Sequence, residues 1–200
     1  MALLVAALIG AVIVGCRSIF SRPPYDADTV GRAEAAMWKA YYTGEKTQLA
    51  LNLIELLRTQ FGMTLPEAKR VAGALADAAM KFKGTREKYD EAVLPDLTEA
   101  YRRIKRFSNA SFEPEQAARA ELAWWVARRT PGQSSPEQVG AKIGELYAVL
   151  YGSQNPAFQK AGLLRAQAAA LRDSGKLNAD WPRIEDMLRQ SYREAQKGMP

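Results

Sequence analysis

Residues 64–84 read TLPEAKRVAGALADAAMKFKG and carry the signals that begin, fill and end an α-helix. Thr64 and Glu67 form the S/T-x-x-E pattern of a helix start. Pro66 suits the first turn, where its missing amide N–H would have no partner within the helix anyway. Alanine is frequent in the interior of the stretch, and Gly84 is a typical stop. We therefore predict a helix that ends just before Gly84.

Starts and stops of this kind recur along residues 23–200, while sustained alternation of apolar and β-branched residues is absent. Pro95 lies inside one helical pattern and should divide it into two shorter helices. Because the connections are short, successive helices should be roughly antiparallel. The expected fold is an all-α bundle of about seven or eight helices, with helices over 26–43, 45–61, 65–83, 87–107, 115–129, 137–151, 157–173 and 181–197.

The N-terminal residues 1–22 differ in kind, because they are apolar and carry no charged side chain before Arg17. About 20 apolar residues are needed to cross a bilayer, so we predict a single transmembrane helix here. Pro23 and Pro24 then break the helix and separate this anchor from a helical domain over 23–200. Partners are therefore expected at a membrane of the bacterial inner-membrane type.

The side of the membrane depends on two competing signals. Arg17 and Arg22 lie on the C-terminal side of the span, which favours a cytoplasmic body. Ile13-Val14-Gly15-Cys16, however, resembles the lipobox at which bacterial lipoproteins are cleaved and acylated on the cysteine. That resemblance implies a lipidated Cys16 and a periplasmic body. A cleaved secretory signal is less well supported, because no positive charge precedes the apolar run.

Small residues recur every four positions within the span. Such columns let two helices approach closely in lipid, and a span that served only as an anchor would not need them. A second membrane protein or complex is therefore an expected partner. The candidate packing residues are Ala6, Gly10, Ala11 and Gly15.

Composition excludes several classes of site in the body. The chain has no histidine and one cysteine, which lies in the span, and it has no phosphate-binding glycine motif. We therefore predict no catalytic, cofactor or metal site, and we leave any small-molecule ligand unknown. The formal net charge of +6 is spread along the chain, which argues against specific nucleic-acid binding. The basic run over 102–106 is typical of a solvated helix end, with contact to anionic lipid as the alternative.

Two glutamates share helix faces with aromatic residues. Glu34 lies on one face with Trp38, and Glu121 lies on one face with Trp124. A buried carboxylate needs a partner, so each glutamate should find an arginine or a tyrosine hydroxyl. The alternative is that Glu34 and Glu121 converge in a pocket that binds a ligand or carries out acid-base chemistry.

Trp124 and Trp125 cannot both face the core in the same direction, because neighbours on a helix are about 100° apart. An outward tryptophan beside Arg128 and Arg129 would suit a protein interface. The main functional prediction is a membrane-anchored accessory or scaffolding subunit that acts through protein-protein interaction. A helical enzyme or ligand-binding protein with a carboxylate-lined pocket, and a periplasmic lipoprotein adaptor, are the alternatives.

Overall fold

The computed structural model describes residues 25–108, 111–175 and 178–200, and in these ranges the chain is all-α. This confirms the predicted fold class. The described ranges hold nine helices rather than seven or eight, because Pro95 divides the predicted fourth helix and leaves a single-turn helix before it. They are α1 Ala27–Thr43, α2 Lys46–Phe61, α3 Leu65–Gly84, α4 Tyr89–Ala92, α5 Leu94–Ser108, α6 Pro114–Arg129, α7 Pro136–Tyr151, α8 Ala157–Gly175 and α9 Trp181–Gly198.

Local capping explains where the helices begin and end. The Asp26 side chain accepts a hydrogen bond from Thr29 N at the start of α1, and Gly44 ends that helix in the left-handed region at φ 77°. Thr64 precedes α3 as predicted, but its side chain makes no capping hydrogen bond. Glu67 pairs with arginines of α3 and α5 instead, so the reciprocal half of the predicted capping box is not formed.

The eight longer helices pack in a cyclic order, which we call the ring. Each packs mainly against the preceding and following helix along α1, α2, α3, α5, α6, α7, α8 and α9, and α9 packs back against α1. The largest apolar cluster lies among α2, α3, α5, α6 and α7. Smaller clusters connect α8 and α9 to α7 and α1. Closure of the ring therefore depends on contacts between the first and last helices of the described chain.

Successive helices of the ring alternate in direction, as polar contacts between their termini show. Arg193 near the end of α9 pairs with Asp28 at the start of α1, with 2.7 Å between Nε and Oδ1. At the opposite end, Arg129 is the last residue of α6, and its Nη1 donates a hydrogen bond to the carbonyl of Phe82 in the last turn of α3. We call these two ends of the ring the Tyr25 end and the Tyr42 end, after the tyrosines near the start and the end of α1.

Three glycines let α7 and α8 cross with their backbones in contact. A Cβ atom at Gly162 would clash with the carbonyl oxygen of Gly140, and it would lie 2.6 Å from the amide nitrogen of Gly144. A Cβ at Gly140 would lie 2.7 Å from Cα of Leu163. No side chain larger than hydrogen fits at Gly162 or Gly140 without separating the two helices.

The predicted anchor lies outside the described residues. The anchor's candidate packing residues Ala6, Gly10, Ala11 and Gly15, and the candidate lipidation site Cys16, all precede Tyr25. Among the helices that the structure describes, none combines the length and the apolar character needed to cross a bilayer. The transmembrane helix and the lipobox therefore stay predictions.

The close crossing of α7 and α8 predicts that Gly162→Ala is strongly destabilising. Overpacking usually costs about 1–3 kcal/mol, and the upper part of that range is expected because the clash is with backbone. Denaturant unfolding followed by circular dichroism measures the change. Gly73→Ala is the matched control, because that exposed helical glycine has no neighbour within 4 Å of the position that a Cβ would occupy. It should stabilise the protein by about 0.5–1 kcal/mol. Equal effects of the two substitutions would contradict the crossing.

Candidate functional site

A buried ion pair lies in the interior of the ring. Glu34 on α1 is 0% exposed, and its Oε1 accepts hydrogen bonds from both Nε and Nη2 of Arg165 on α8, the first at 2.8 Å. The Arg165 side chain is 14% exposed. α9 lies between α1 and α8 in the order of the ring, so this pair joins two helices that are not adjacent in that order. Glu34 thus meets an arginine, one of the two kinds of partner that the sequence predicts.

Arg165 extends the contact to a third helix. Its guanidinium carbon lies 5.1 Å from the ring centroid of Trp124 on α6, within the range of a cation-π interaction. Tyr147 on α7 and Tyr192 on α9 pack beside the pair, with ring centroids 6.5 Å apart. One guanidinium therefore connects α1, α6 and α8 through charge and stacking.

Glu121 has different partners. Its Oε2 accepts a hydrogen bond from the Tyr101 hydroxyl at 2.9 Å, and its Oε1 accepts one from Trp125 Nε1 at 2.8 Å. No arginine pairs with this carboxylate among the described residues. The tyrosine was an expected kind of partner, whereas the indole N–H of the next turn was not foreseen.

Glu34 and Glu121 lie within electrostatic reach of the same hydroxyl. Burial raises the pKa of Tyr147 to about 12; the Arg165 guanidinium opposes that rise, and both carboxylates add to it. Each carboxylate is nevertheless engaged, Glu34 by Arg165 and Glu121 by Tyr101 and Trp125. The pocket shared by the two glutamates therefore stays a prediction.

Several polar atoms beside the pair are buried and make no hydrogen bond of ordinary geometry within the described residues. They are Glu34 Oε2, Trp124 Nε1 and Tyr147 OH. Ser191, which is also buried, donates its hydroxyl to the carbonyl of Ala161 at 2.8 Å. A buried polar atom without a partner costs about 1–3 kcal/mol. The polar interior therefore lowers the net stability that the surrounding apolar clusters provide.

The predicted interface residues on α6 face other helices of the ring. Trp124 and Trp125 are both half-buried against the largest apolar cluster. Arg128 Nη2 binds Asp173 Oδ2 at 2.7 Å. Arg129 stacks on Phe82, with its guanidinium carbon 3.7 Å from the ring centroid. These side chains join α6 to α8 and α3.

Trp38, which shares a helix face with Glu34, is a further candidate residue for an interface or pocket and lies on α1. It is half-buried and packs against an apolar cluster that includes Ala168 on α8 and Ile184 on α9. Its indole therefore contributes to the closure of the ring between the first and last helices.

A surface groove between α1 and α9 was not foreseen from the sequence. Its volume is about 430 Å³, and its walls include Ala35, Lys39, Trp181, Glu185, Asp186 and Arg189. Both charge signs line it, so its chemistry does not select one class of ligand. No local sequence pattern predicts this groove, because its two walls come from the first and last helices of the described chain.

The buried pair predicts a large effect of Glu34→Gln on stability. Removing the charge of one partner leaves the Arg165 guanidinium buried without compensation, which costs about 3–5 kcal/mol. Glu55→Gln is the matched control, because Glu55 is 51% exposed and its ion pair with Arg58 should contribute less than about 1 kcal/mol.

A double variant tests the reason for this loss. Replacing a buried ion pair by apolar residues is often close to neutral, so Glu34→Met with Arg165→Met should recover much of the stability that Glu34→Gln loses. Chemical denaturation of the wild type and the three variants measures the differences. Equal unfolding free energies of the single variant at Glu34 and the wild type would show that the pair does not hold the ring together.

Buried tyrosines predict unfolding at alkaline pH. Burial raises the pKa of five of them above the ordinary value: Tyr25, Tyr101, Tyr147, Tyr151 and Tyr192. The folded state then holds these protons more tightly than the unfolded state. This contribution to stability is complete below pH about 10 and falls as the pH rises toward about 12, the raised pKa of Tyr147.

The measurement compares phenolate absorbance with helical circular dichroism during a titration. The phenolate signal of these tyrosines should rise together with the loss of helix, and Tyr147→Phe should make the decline of stability with pH less steep. Full ionisation of all tyrosines in a protein that keeps its helical signal would contradict the burial of these hydroxyls.

The described residues offer few groups for metal or nucleophilic chemistry. The chain has no histidine, and no group of three or more acidic or cysteine side chains within the described ranges is arranged to hold a metal ion. The chain matches no protein-family model, no curated protein and no solved structure at a significant level. Function is therefore inferred from its own residues.

Proposed function

We propose that this protein is a membrane-anchored helical accessory or scaffolding subunit that binds a second protein of a membrane complex. The observation that carries the proposal is an exposed aromatic pair at the Tyr42 end of the ring. Tyr41 is 55% exposed and Tyr42 is 36% exposed, and their rings meet edge to face with centroids 4.9 Å apart. Exposed neighbouring aromatics of this kind are typical of interface hot spots.

An arginine holds one of these rings in place. The guanidinium carbon of Arg172, near the end of α8, lies 2.9 Å from the ring centroid of Tyr42, and Arg172 Nη1 binds Asp173 Oδ1 at 2.7 Å. Restraining a side chain before binding lowers the entropy that association must overcome. Tyrosine and arginine are also among the residue types most enriched at hot spots. We call Tyr41, Tyr42 and Arg172 the aromatic patch.

The aromatic patch is placed to bind a partner at a distance from the membrane surface. α1 is a helix of 17 residues, so about 25 Å separates its start near Tyr25 from its end near Tyr42. The predicted anchor precedes the start of α1. If residues 1–22 lie in the bilayer, the patch is at the far end of the ring and the body acts as a spacer as well as a binding unit.

The predicted span supplies a second contact with the same complex. Its columns of small residues favour close packing against another transmembrane helix. Two weak contacts on one chain, one in lipid and one at the aromatic patch, would bind a partner more tightly than either alone. This arrangement requires no catalytic group.

The aromatic patch predicts that Tyr41→Ala with Tyr42→Ala weakens partner binding. Truncation of hot-spot residues typically costs about 2 kcal/mol or more each, so a loss of more than about tenfold in recovered partner is expected. Purification of the tagged full chain in mild detergent, followed by quantitative mass spectrometry, measures it. Met80→Ala is the matched control, because Met80 is 73% exposed on α3 and outside the patch.

Unchanged recovery of every co-purifying protein with the double tyrosine variant would overturn the proposal for the patch. Gly10→Leu with Gly15→Leu tests the contact within the span separately. Thermal unfolding of each variant should stay close to wild type, which shows that a lost partner reflects a lost surface rather than a lost fold.

A further inference from the structure

Carboxylates at the Tyr25 end of the ring are shared between cations. Asp28 pairs with both Arg189 and Arg193, and Arg193 Nε lies 2.7 Å from Asp28 Oδ1. Glu194 pairs with both Lys160 and Lys197, at 2.9 and 2.8 Å. Each of these carboxylates meets two positive side chains, and Asp26 and Asp186 also lie within electrostatic reach of Arg193.

Basic side chains outnumber carboxylates on the wall formed by α3 and α5. Three carboxylates, Glu67, Glu99 and Glu113, pair here with four basic side chains, Arg70, Arg102, Arg103 and Lys105. Arg106 and Lys69 are also exposed on this wall and have no ion-pair partner among the described residues. The basic run over 102–106 thus ends at the Tyr25 end. The partial negative charge at the C-terminus of a helix explains one or two cations at the end of α5. It does not explain why carboxylates of α1, α3 and α9 are each paired with two cations.

The Tyr42 end is more evenly charged. Asp173 there is shared between Arg128 and Arg172. Residues 81–96 at this end, from the last turn of α3 to the first turn of α5, carry four acidic and four basic side chains. The excess of cations is therefore a property of the Tyr25 end rather than of the whole surface.

Two pKa values agree with a positive field at the Tyr25 end. The guanidinium groups of Arg193 and Arg189 lower the pKa of Asp28 to about 2. The ammonium groups of Lys197 and Lys160 lower the pKa of Glu194. Both carboxylates therefore stay ionised at neutral pH, and each stays paired with two cations.

We propose that the Tyr25 end of the ring binds the anionic headgroups of the membrane, and that Arg106 and Lys69 are among the cations that make this contact. This inference rests on the proposed anchoring at residues 1–22, because Tyr25 is the first described residue after that segment. The chain that leaves the bilayer enters the ring at the end where cations outnumber carboxylates. Anionic lipid attracts basic residues within about one Debye length, near 10 Å at moderate salt.

Hydrogen exchange of the full chain in lipid nanodiscs tests this contact. Amides of residues 102–107 and 112–118 should exchange about threefold or more slowly in nanodiscs that contain phosphatidylglycerol than in phosphatidylcholine alone. Amides of residues 81–88, at the Tyr42 end, should not differ. High salt should remove the difference, because it shortens the range of the attraction.

A matched pair of variants separates position from net charge. Arg106→Glu and Lys83→Glu make the same change in charge, and both residues are exposed in the last turn of a helix, but Lys83 lies at the Tyr42 end. Arg106→Glu should abolish the lipid-dependent protection, whereas Lys83→Glu should keep it. Equal effects of the two variants, or no difference between the two lipids, would overturn the inference.

Two further outcomes distinguish a failed headgroup contact from failed anchoring and from nucleic-acid binding. Loss of the chain from the nanodisc in both lipids would mean that the anchoring fails, and the headgroup contact would fail with it. Protection produced by a single-stranded oligonucleotide but not by anionic lipid would overturn the lipid assignment in favour of nucleic acid. The partner contact at Tyr41 and Tyr42 is measured independently and does not change with lipid charge.

Discussion

The ion pair between Glu34 and Arg165 is the constraint on which the remaining structure depends. A fully buried carboxylate is tolerated only when a cation meets it with good geometry, and the fork of Arg165 supplies two hydrogen bonds to one oxygen. The two residues come from α1 and α8, which are not neighbours around the ring. Any arrangement that moved either helix outward would leave both charges buried and unpaired. The pair therefore fixes the distance between α1 and α8, and apolar clusters fill the space around it.

A polar interior of this kind gives specificity at some cost in stability. Apolar helices could pack in several cyclic orders with similar burial, but only an order that brings Arg165 to Glu34 and beneath Trp124 satisfies the charges. The glycines contribute in the same direction. Gly31 lies so close to the Arg189 backbone that a Cβ would be 2.6 Å from its Cα, and this allows α9 to close against α1. Charge pairing selects the helices that meet, and small residues set how closely they approach.

The sequence predicted the features that depend on neighbouring residues. Helix bounds followed from caps such as Asp26 and stops such as Gly44, and Pro95 divided a helix where expected. The features that it could not predict join distant residues. Glu34 and Arg165 are 131 positions apart, and several arginines were equally suitable partners by type. The sequence also did not predict the crossing of α7 and α8. A glycine inside a helix is locally a destabilising residue, and its role in a close crossing depends on the backbone that faces it. The two tryptophans of α6 suggested an interface by composition, whereas three-dimensional packing turned them toward other helices.

An even number of alternating helices has a consequence for the way the protein is oriented. The ring contains eight longer helices in the described ranges, so the chain enters and leaves at the same end, and the turn between α1 and α2 lies at the opposite end. The first and last helices are adjacent, so their charged termini share one surface. That surface follows the predicted anchor and carries the shared carboxylates of Asp28 and Glu194. The exposed tyrosines are about one helix length away, at the end of α1. The closure that satisfies the buried ion pair therefore also separates a basic end from an aromatic end, which suits a protein held at a membrane on one side and bound to a partner on the other.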